Sequence, residues 1–170
     1  MGERPTDGDQ GAGSRRLDAS VELDLLVAER AVLRTLYRYG HSIDYGLEED
    51  WLDCFVPDGA FDVRYRVGAK PSRRFEGRDD LAAFIAAHSR APDFWHKHLL
   101  FEPLVTVDGD RASVRSYFAR LDASDDGGAP FVRAFGRYLD ELVRGFDGEW
   151  RFAERIAEVE AVAAIPADRV

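Results

Sequence analysis

Sulfur is scarce in this chain. Its 170 residues carry one cysteine, Cys54, so an intrachain disulfide framework is excluded and a reducing, cytoplasmic setting is expected. Cys54 sits in Trp51-Leu52-Asp53-Cys54-Phe55, where it reads as a small core residue and not as a nucleophile. Positive charge is short as well: 23 Lys and Arg face 32 Asp and Glu, for a formal net charge of −9. That balance argues against nucleic acid, which needs clustered cations to track phosphates, and against docking on anionic lipid. No uninterrupted apolar run approaches the length that spans a bilayer, and the N-terminus lacks an apolar signal core. Also missing are an internal repeat, a Gly-rich phosphate loop, a nucleophilic-serine elbow and a composition shift that would mark a second domain. Residues 1–19, rich in Gly, Asp, Arg and Ser, have the composition of a disordered leader. One domain is expected over 20–160, followed by a tail, 161–170, without assignment.

What remains is a chain with ordinary core-forming content, 45% hydrophobic and 12% aromatic. Helical spacing predicts a first helix from Ser20, as N-cap, to about Ile43, broken at Tyr45-Gly46. A short helix is expected over Glu48 to Phe55, and a turn at Pro57-Asp58-Gly59. A strand from Ala60 to Val67, a hairpin loop at 68–72 and a short return strand at Phe75-Glu76-Gly77 come next. A third helix covers Arg78 to Ser89, with Leu81, Phe84 and Ile85 spaced for burial. The period then changes to that of strands: Trp95 to Val107, Arg111 to Leu121, Phe131 to Arg144 and Glu149 to Val159. Helices first and an antiparallel meander afterwards define an α+β fold.

Two polar residues stand where apolar ones are expected. Asp44 continues the stripe Leu33, Tyr37, Gly40 along the first helix, and His98 lies inside Trp95-His96-Lys97-His98-Leu99-Leu100-Phe101. Buried carboxylates need partners, and an imidazole is a suitable one. Taken singly, each has a plain structural reading: Asp44 as cap of the helix beginning near Leu47, His98 as a core histidine bonded to a carbonyl. Together they suit general base chemistry, because neutral imidazole titrates near working pH and a carboxylate behind it stabilises the cation that forms. His96 and His98 alternate on a strand and share a face, but no third ligand stands out except Asp44, so no metal is expected.

The order of elements and several local sequences resemble the SnoaL-like family of the nuclear transport factor 2-like superfamily. The resemblance is carried by Tyr37-Arg38-Tyr39-Gly40-His41-Ser42-Ile43-Asp44, Trp51-Leu52-Asp53-Cys54-Phe55-Val56-Pro57-Asp58-Gly59, Phe75-Glu76-Gly77-Arg78, His98-Leu99-Leu100-Phe101-Glu102-Pro103, Val107-Asp108-Gly109-Asp110-Arg111-Ala112, Gly136-Arg137-Tyr138 and Gly148-Glu149-Trp150-Arg151-Phe152 with Arg155. It implies a cone-shaped α+β barrel, a curved and mostly antiparallel sheet closed by the N-terminal helices. Asp44 and His98 then resemble the Asp–His dyad of the scytalone dehydratase branch, with histidine as base and aspartate as its orienting acid. Departures lie at Tyr117, Ile43 and Glu102, where that branch has histidine, tyrosine and asparagine.

The activity implied is that of a lyase or isomerase without cofactor, of dehydratase or cyclase type, on a small apolar carbonyl compound such as a polyketide or aromatic metabolite. Tyr117 is the expected oxygen-polarising donor, beside the catalytic Asp44 and His98. Phe55, Tyr65, Leu100, Glu102 and Tyr138 are the expected substrate-binding residues. A homodimer or homotrimer is expected by analogy. Two further classes fit the same family: a non-catalytic binding or assembly subunit, as in the small subunits of ring-hydroxylating dioxygenases, and an epoxide hydrolase or ring cyclase using Asp44 and Glu102.

Overall fold

The computed structural model describes residues 18–66, 72–123 and 129–163. Helix α1 spans Ala19–Tyr45, α2 Glu48–Leu52 and α3 Gly77–Ala86, with strands β1 Phe55–Tyr65 and β2 Arg73–Glu76 between α2 and α3. Strands β3 His96–Asp108, β4 Arg111–Asp122, β5 Phe131–Arg144 and β6 Trp150–Val162 complete the chain order. All six strands join one open, curved sheet in the order β2-β1-β6-β5-β4-β3. Every pairing is antiparallel except β1 with β6, because the long return from β1 brings β6 back in the same direction. The α+β reading is therefore met, with β3 left as an edge strand on which α1 lies.

Several expectations shift by a residue or a turn. Asp18, not Ser20, caps α1: its Oδ1 accepts the Ser20 backbone N–H at 2.9 Å, and its charge also favours the positive helix end. Gly46 ends the helix in the left-handed region at φ 68°, a conformation with no side-chain penalty for glycine. The buried stripe of α1 is Val32, Leu36, Tyr39 and Ile43, one position from the stripe expected, while Tyr37 is half exposed. Helix α2 stops at Leu52, so Phe55 begins a strand. Pro57-Asp58-Gly59 is no turn. It lies inside β1, where the register against β6 slips between Phe55 and Ala60, and a bulge accepts the proline that a regular ladder would reject. The loop expected at 68–72, apart from Ser72, and residues 124–128 lie outside the described residues, as does 164–170; Ala161 and Val162 belong to β6.

The inner face of the sheet and the three helices enclose an aromatic core. Trp51 stacks near Phe55 (ring centres 4.9 Å apart), Phe55 near Phe152 (5.3 Å), and Phe84 near Phe61 (5.1 Å). Each fully buried ring stabilises by roughly 1.5–3 kcal/mol from area alone. One ion pair is buried among these rings. The Arg155 guanidinium lies 3.7 Å from the Tyr138 ring centre and 4.0 Å from that of Tyr39, and its Nε is 3.4 Å from Asp140 Oδ1. Among the described residues no helix is long and apolar enough to cross a membrane.

Candidate functional site

The site forms where the last turn of α1 meets the free edge of β3. An edge strand presents backbone N–H groups without a strand partner, and the Asp44 carboxylate covers one of them. The His98 backbone N–H donates to both Asp44 oxygens at 3.1 Å, and His98 Nδ1 lies 2.7 Å from Asp44 Oδ1. These bonds explain why a carboxylate only 3% exposed is tolerated at the end of an amphipathic helix. Asp44 therefore does not cap α2, whose N-cap Leu47 has no side-chain bond. A carboxylate can only accept, so Nδ1 carries the hydrogen of this contact and Nε2 is the ring nitrogen left for other partners.

Two more imidazoles approach this pair. His96 Nε2 is 3.5 Å from Asp44 Oδ1, and the His96 and His98 ring centres are 5.2 Å apart. His88, just past α3, stands 5.3 Å from the His96 ring and 5.7 Å from that of His98. Burial pushes the His88 imidazole down to about 3, reinforced by charge on His98 and Arg120. Burial likewise pushes His96 down to about 4, with Arg120 and His98 adding to it. Both rings are uncharged near neutral pH. Arg120 is held on the inner face by Asp122, Nε to Oδ1 at 2.6 Å.

A groove of about 370 Å³ opens beside the pair, lined by Tyr37, Gly40, Asp44, Lys97, His98 and Leu100 among others. The structure thus gathers Asp44, His98 and Leu100 along this groove, which none of the other expected residues lines. Tyr117 is 58% exposed on the outer face of the sheet, because the inward positions of β4 are Val114, Ser116 and Phe118. It cannot polarise an oxygen held at His98. Glu102 lies on the same outer side, at φ 47° in an irregular stretch of β3, and shares with Tyr117 a separate groove of about 250 Å³. Phe55 is closed into the core against Trp51 and Phe152. Tyr65 lies near the far end of β1, paired in register with Val159. Tyr138 does face inward, stacked on Phe118 at 4.5 Å, and burial pushes its phenol up to about 12. Cys54 is buried and its thiol is pushed up to about 11 by desolvation, which fits the core role and not a nucleophile.

His88 and Arg120 were not anticipated. A signal for His88 exists in the sequence: it follows Phe84 by four residues and Ile85 by three, the spacing of the buried face of α3. Arg120 follows Phe118 by two and so shares its side of β4.

Comparison with known proteins agrees with this architecture. The model of the SnoaL-like domain matches residues 24–156. Rv3472 of Mycobacterium tuberculosis, a protein of unknown function, is 27% identical with a TM-score of 0.66, covering 89% of this chain and 80% of its own. A Novosphingobium aromaticivorans chain, assigned as the β subunit of an aromatic-ring-hydroxylating dioxygenase, is 22% identical with a TM-score of 0.71 over 84% of this chain and 95% of that one. ActVI-ORFA of Streptomyces coelicolor is 22% identical with a TM-score of 0.62, over 75% and 93%. At that identity the last two speak to the fold alone. No curated protein matches the chain significantly. With its helix-covered curved sheet and a family model matched over most of its length, this chain belongs to the SnoaL-like domain family of nuclear transport factor 2-like folds.

Proposed function

We propose that this protein is a cofactor-independent lyase or isomerase that moves a proton on a small, largely apolar, carbonyl-bearing molecule of polyketide or aromatic type. The observation that carries the reading is the 2.7 Å contact between His98 Nδ1 and the buried Asp44 carboxylate. With Nδ1–H donated to Asp44, Nε2 is the basic atom. It removes a proton from the carbon next to the carbonyl, and the C–H electron pair moves onto the carbonyl oxygen. The imidazolium, stabilised by Asp44, then returns the proton to another carbon in isomerisation or to a departing hydroxyl in dehydration. General base catalysis supplies on the order of 10²–10⁴-fold, so the groove must also receive developing negative charge. Tyr37 and Lys97, both lining it, carry donors suited to that role. A second copy of the chain is expected on the outer sheet face, where Phe101, Leu104, Tyr117 and Phe135 are exposed.

The test follows the proton itself. Aromatic and polyketide-like ketones and β-hydroxyketones are incubated with the protein in D2O, and exchange or water loss is followed by NMR. The wild-type protein should catalyse it on at least one scaffold, and His98→Ala should lower the rate by about 10²–10⁴-fold. Equal rates in both proteins would overturn the assignment. A second reading, a non-catalytic binding or assembly subunit, draws on the tightly filled interior, where Tyr39, Trp51, Phe55, Phe61 and Phe152 occupy the cone. It predicts no exchange on any scaffold. Nothing favours ring opening by Asp44 with Glu102, since the two line different grooves.

A further inference from the structure

Three of the four histidines of this chain converge on one point. His88, from the segment after α3, and His96 and His98, from β3, each offer a ring nitrogen, and these nitrogens lie within 4.8 Å of one another. We infer that His88, His96 and His98 form a site for a divalent transition ion of borderline softness, zinc above all, and that this ion competes with proton transfer for the same imidazole. The ion site needs only the three rings, whereas the competition rests on the proposed reaction at His98.

Several observations carry it. Both ring nitrogens of His96 and Nε2 of His88 are buried without a hydrogen-bond partner, although a buried polar atom costs about 1–3 kcal/mol when left unpaired. Imidazole binds metal through the lone pair of a neutral ring nitrogen, and no hydrogen bond occupies these buried nitrogens. Zinc holds nitrogen ligands at about 2.0–2.1 Å, which places tetrahedral ligands roughly 3.3 Å apart. Closing from at most 4.8 Å asks for side-chain movement, and His88 can supply it because it lies beyond the regular helix.

Asp44, 3.5 Å from His96 Nε2, favours a cation here, while the opposing charge of Arg120 is offset in part by its pairing with Asp122. The Asp44–His98 contact also has the form in which a carboxylate orients a ligating histidine. Three imidazoles with a fourth position left to water or to Asp44 suit zinc, cobalt or nickel better than magnesium or calcium, which prefer oxygen. Occupation silences the dyad whichever His98 nitrogen is taken. At Nε2 the ion uses the lone pair that would accept the proton; at Nδ1 it displaces the hydrogen bond to Asp44.

The experiment uses the full chain, stripped with chelator and titrated with Zn2+ by calorimetry, with Co2+ absorption reporting the ligand field. One ion should bind per chain with micromolar or tighter affinity and raise the melting temperature. His88→Gln and His96→Gln should each weaken binding at least about 10-fold and abolish the rise. His41→Gln, the histidine outside the cluster, should leave binding unchanged. Absence of saturable binding in the wild-type protein, or unchanged binding in both cluster variants, overturns the site. Circular dichroism confirms that the variants are folded, and a variant that does not fold is replaced by the corresponding Asn. Because zinc binding needs no substrate, its failure is separate from failure of the deuterium-exchange test.

Discussion

The Asp44 carboxylate takes both polar hydrogens that His98 directs towards α1: the backbone N–H, at 3.1 Å from each oxygen, and the ring Nδ1, at 2.7 Å from Oδ1. One acid thus closes an open strand edge and fixes an imidazole tautomer. Stability and chemistry are coupled at this residue, and the two contributions separate by substitution.

Asp44→Asn keeps an oxygen to accept the backbone N–H but removes the charge that stabilises imidazolium. Deuterium exchange should fall by about 10²-fold or more, while the urea midpoint moves little. Asp44→Ala leaves the His98 N–H unpaired at a buried edge and should also lose about 1–3 kcal/mol in urea unfolding. Similar stability losses in both variants would remove the distinction between the two roles.

Asp140 offers a pH test away from the site. Burial pushes its carboxyl up to about 7, opposed by Arg155 and assisted slightly by Glu141. The folded value exceeds the ordinary value of 3.8, so its contribution to stability is complete below about pH 4 and is lost as pH rises through 7. Asp140→Asn mimics the protonated acid and carries no such loss. The stability gap between wild type and variant, from urea midpoints, should therefore shift in favour of the variant between pH 5 and pH 8. A gap independent of pH would mean that Asp140 does not titrate in that window.

Tyr117→Ala should leave both deuterium exchange and the monomer's stability nearly unchanged, within about 0.5 kcal/mol, since the ring is on the outer face. A loss of exchange activity comparable to that of His98→Ala would return Tyr117 to the site. A change in oligomeric state by light scattering would instead mark the outer face as an interface.

Gly136→Ala tests close approach inside the sheet. An added Cβ would meet the Glu158 carbonyl oxygen at 2.0 Å, and both partners are backbone, so neither can yield cheaply. A loss of about 3 kcal/mol or more in thermal unfolding is expected. Wild-type stability would show that β5 and β6 are not paired at this position.

The sequence carried the element order because it depends on local periodicity. The spacing of three and four along Ser20 to Ile43 and Arg78 to Ser89, and the alternation after Trp95, follow from side-chain geometry within single elements. Boundaries were less legible. Pro57-Asp58-Gly59 has the composition of a turn, and only pairing with β6 turns it into a bulge. Of the site, Asp44 and His98 were readable as polar residues on apolar faces. Tyr117 came from the position of a family histidine, whereas the alternation of Arg111, Ser113, Arg115 and Tyr117 with Ala112, Val114, Ser116 and Phe118 puts it on the polar side of β4.

The sequence by itself thus determined the α+β class, the chain order of the elements and the two residues most in need of a partner, since each follows from period and burial along one segment. Tertiary structure alone decided that Asp44 meets the edge of β3, that Glu102 and Tyr117 share the opposite face, and that His88 joins His96 and His98. These are contacts between segments distant in the chain. They depend on strand register and on where a helix crosses a sheet, quantities that no local pattern encodes.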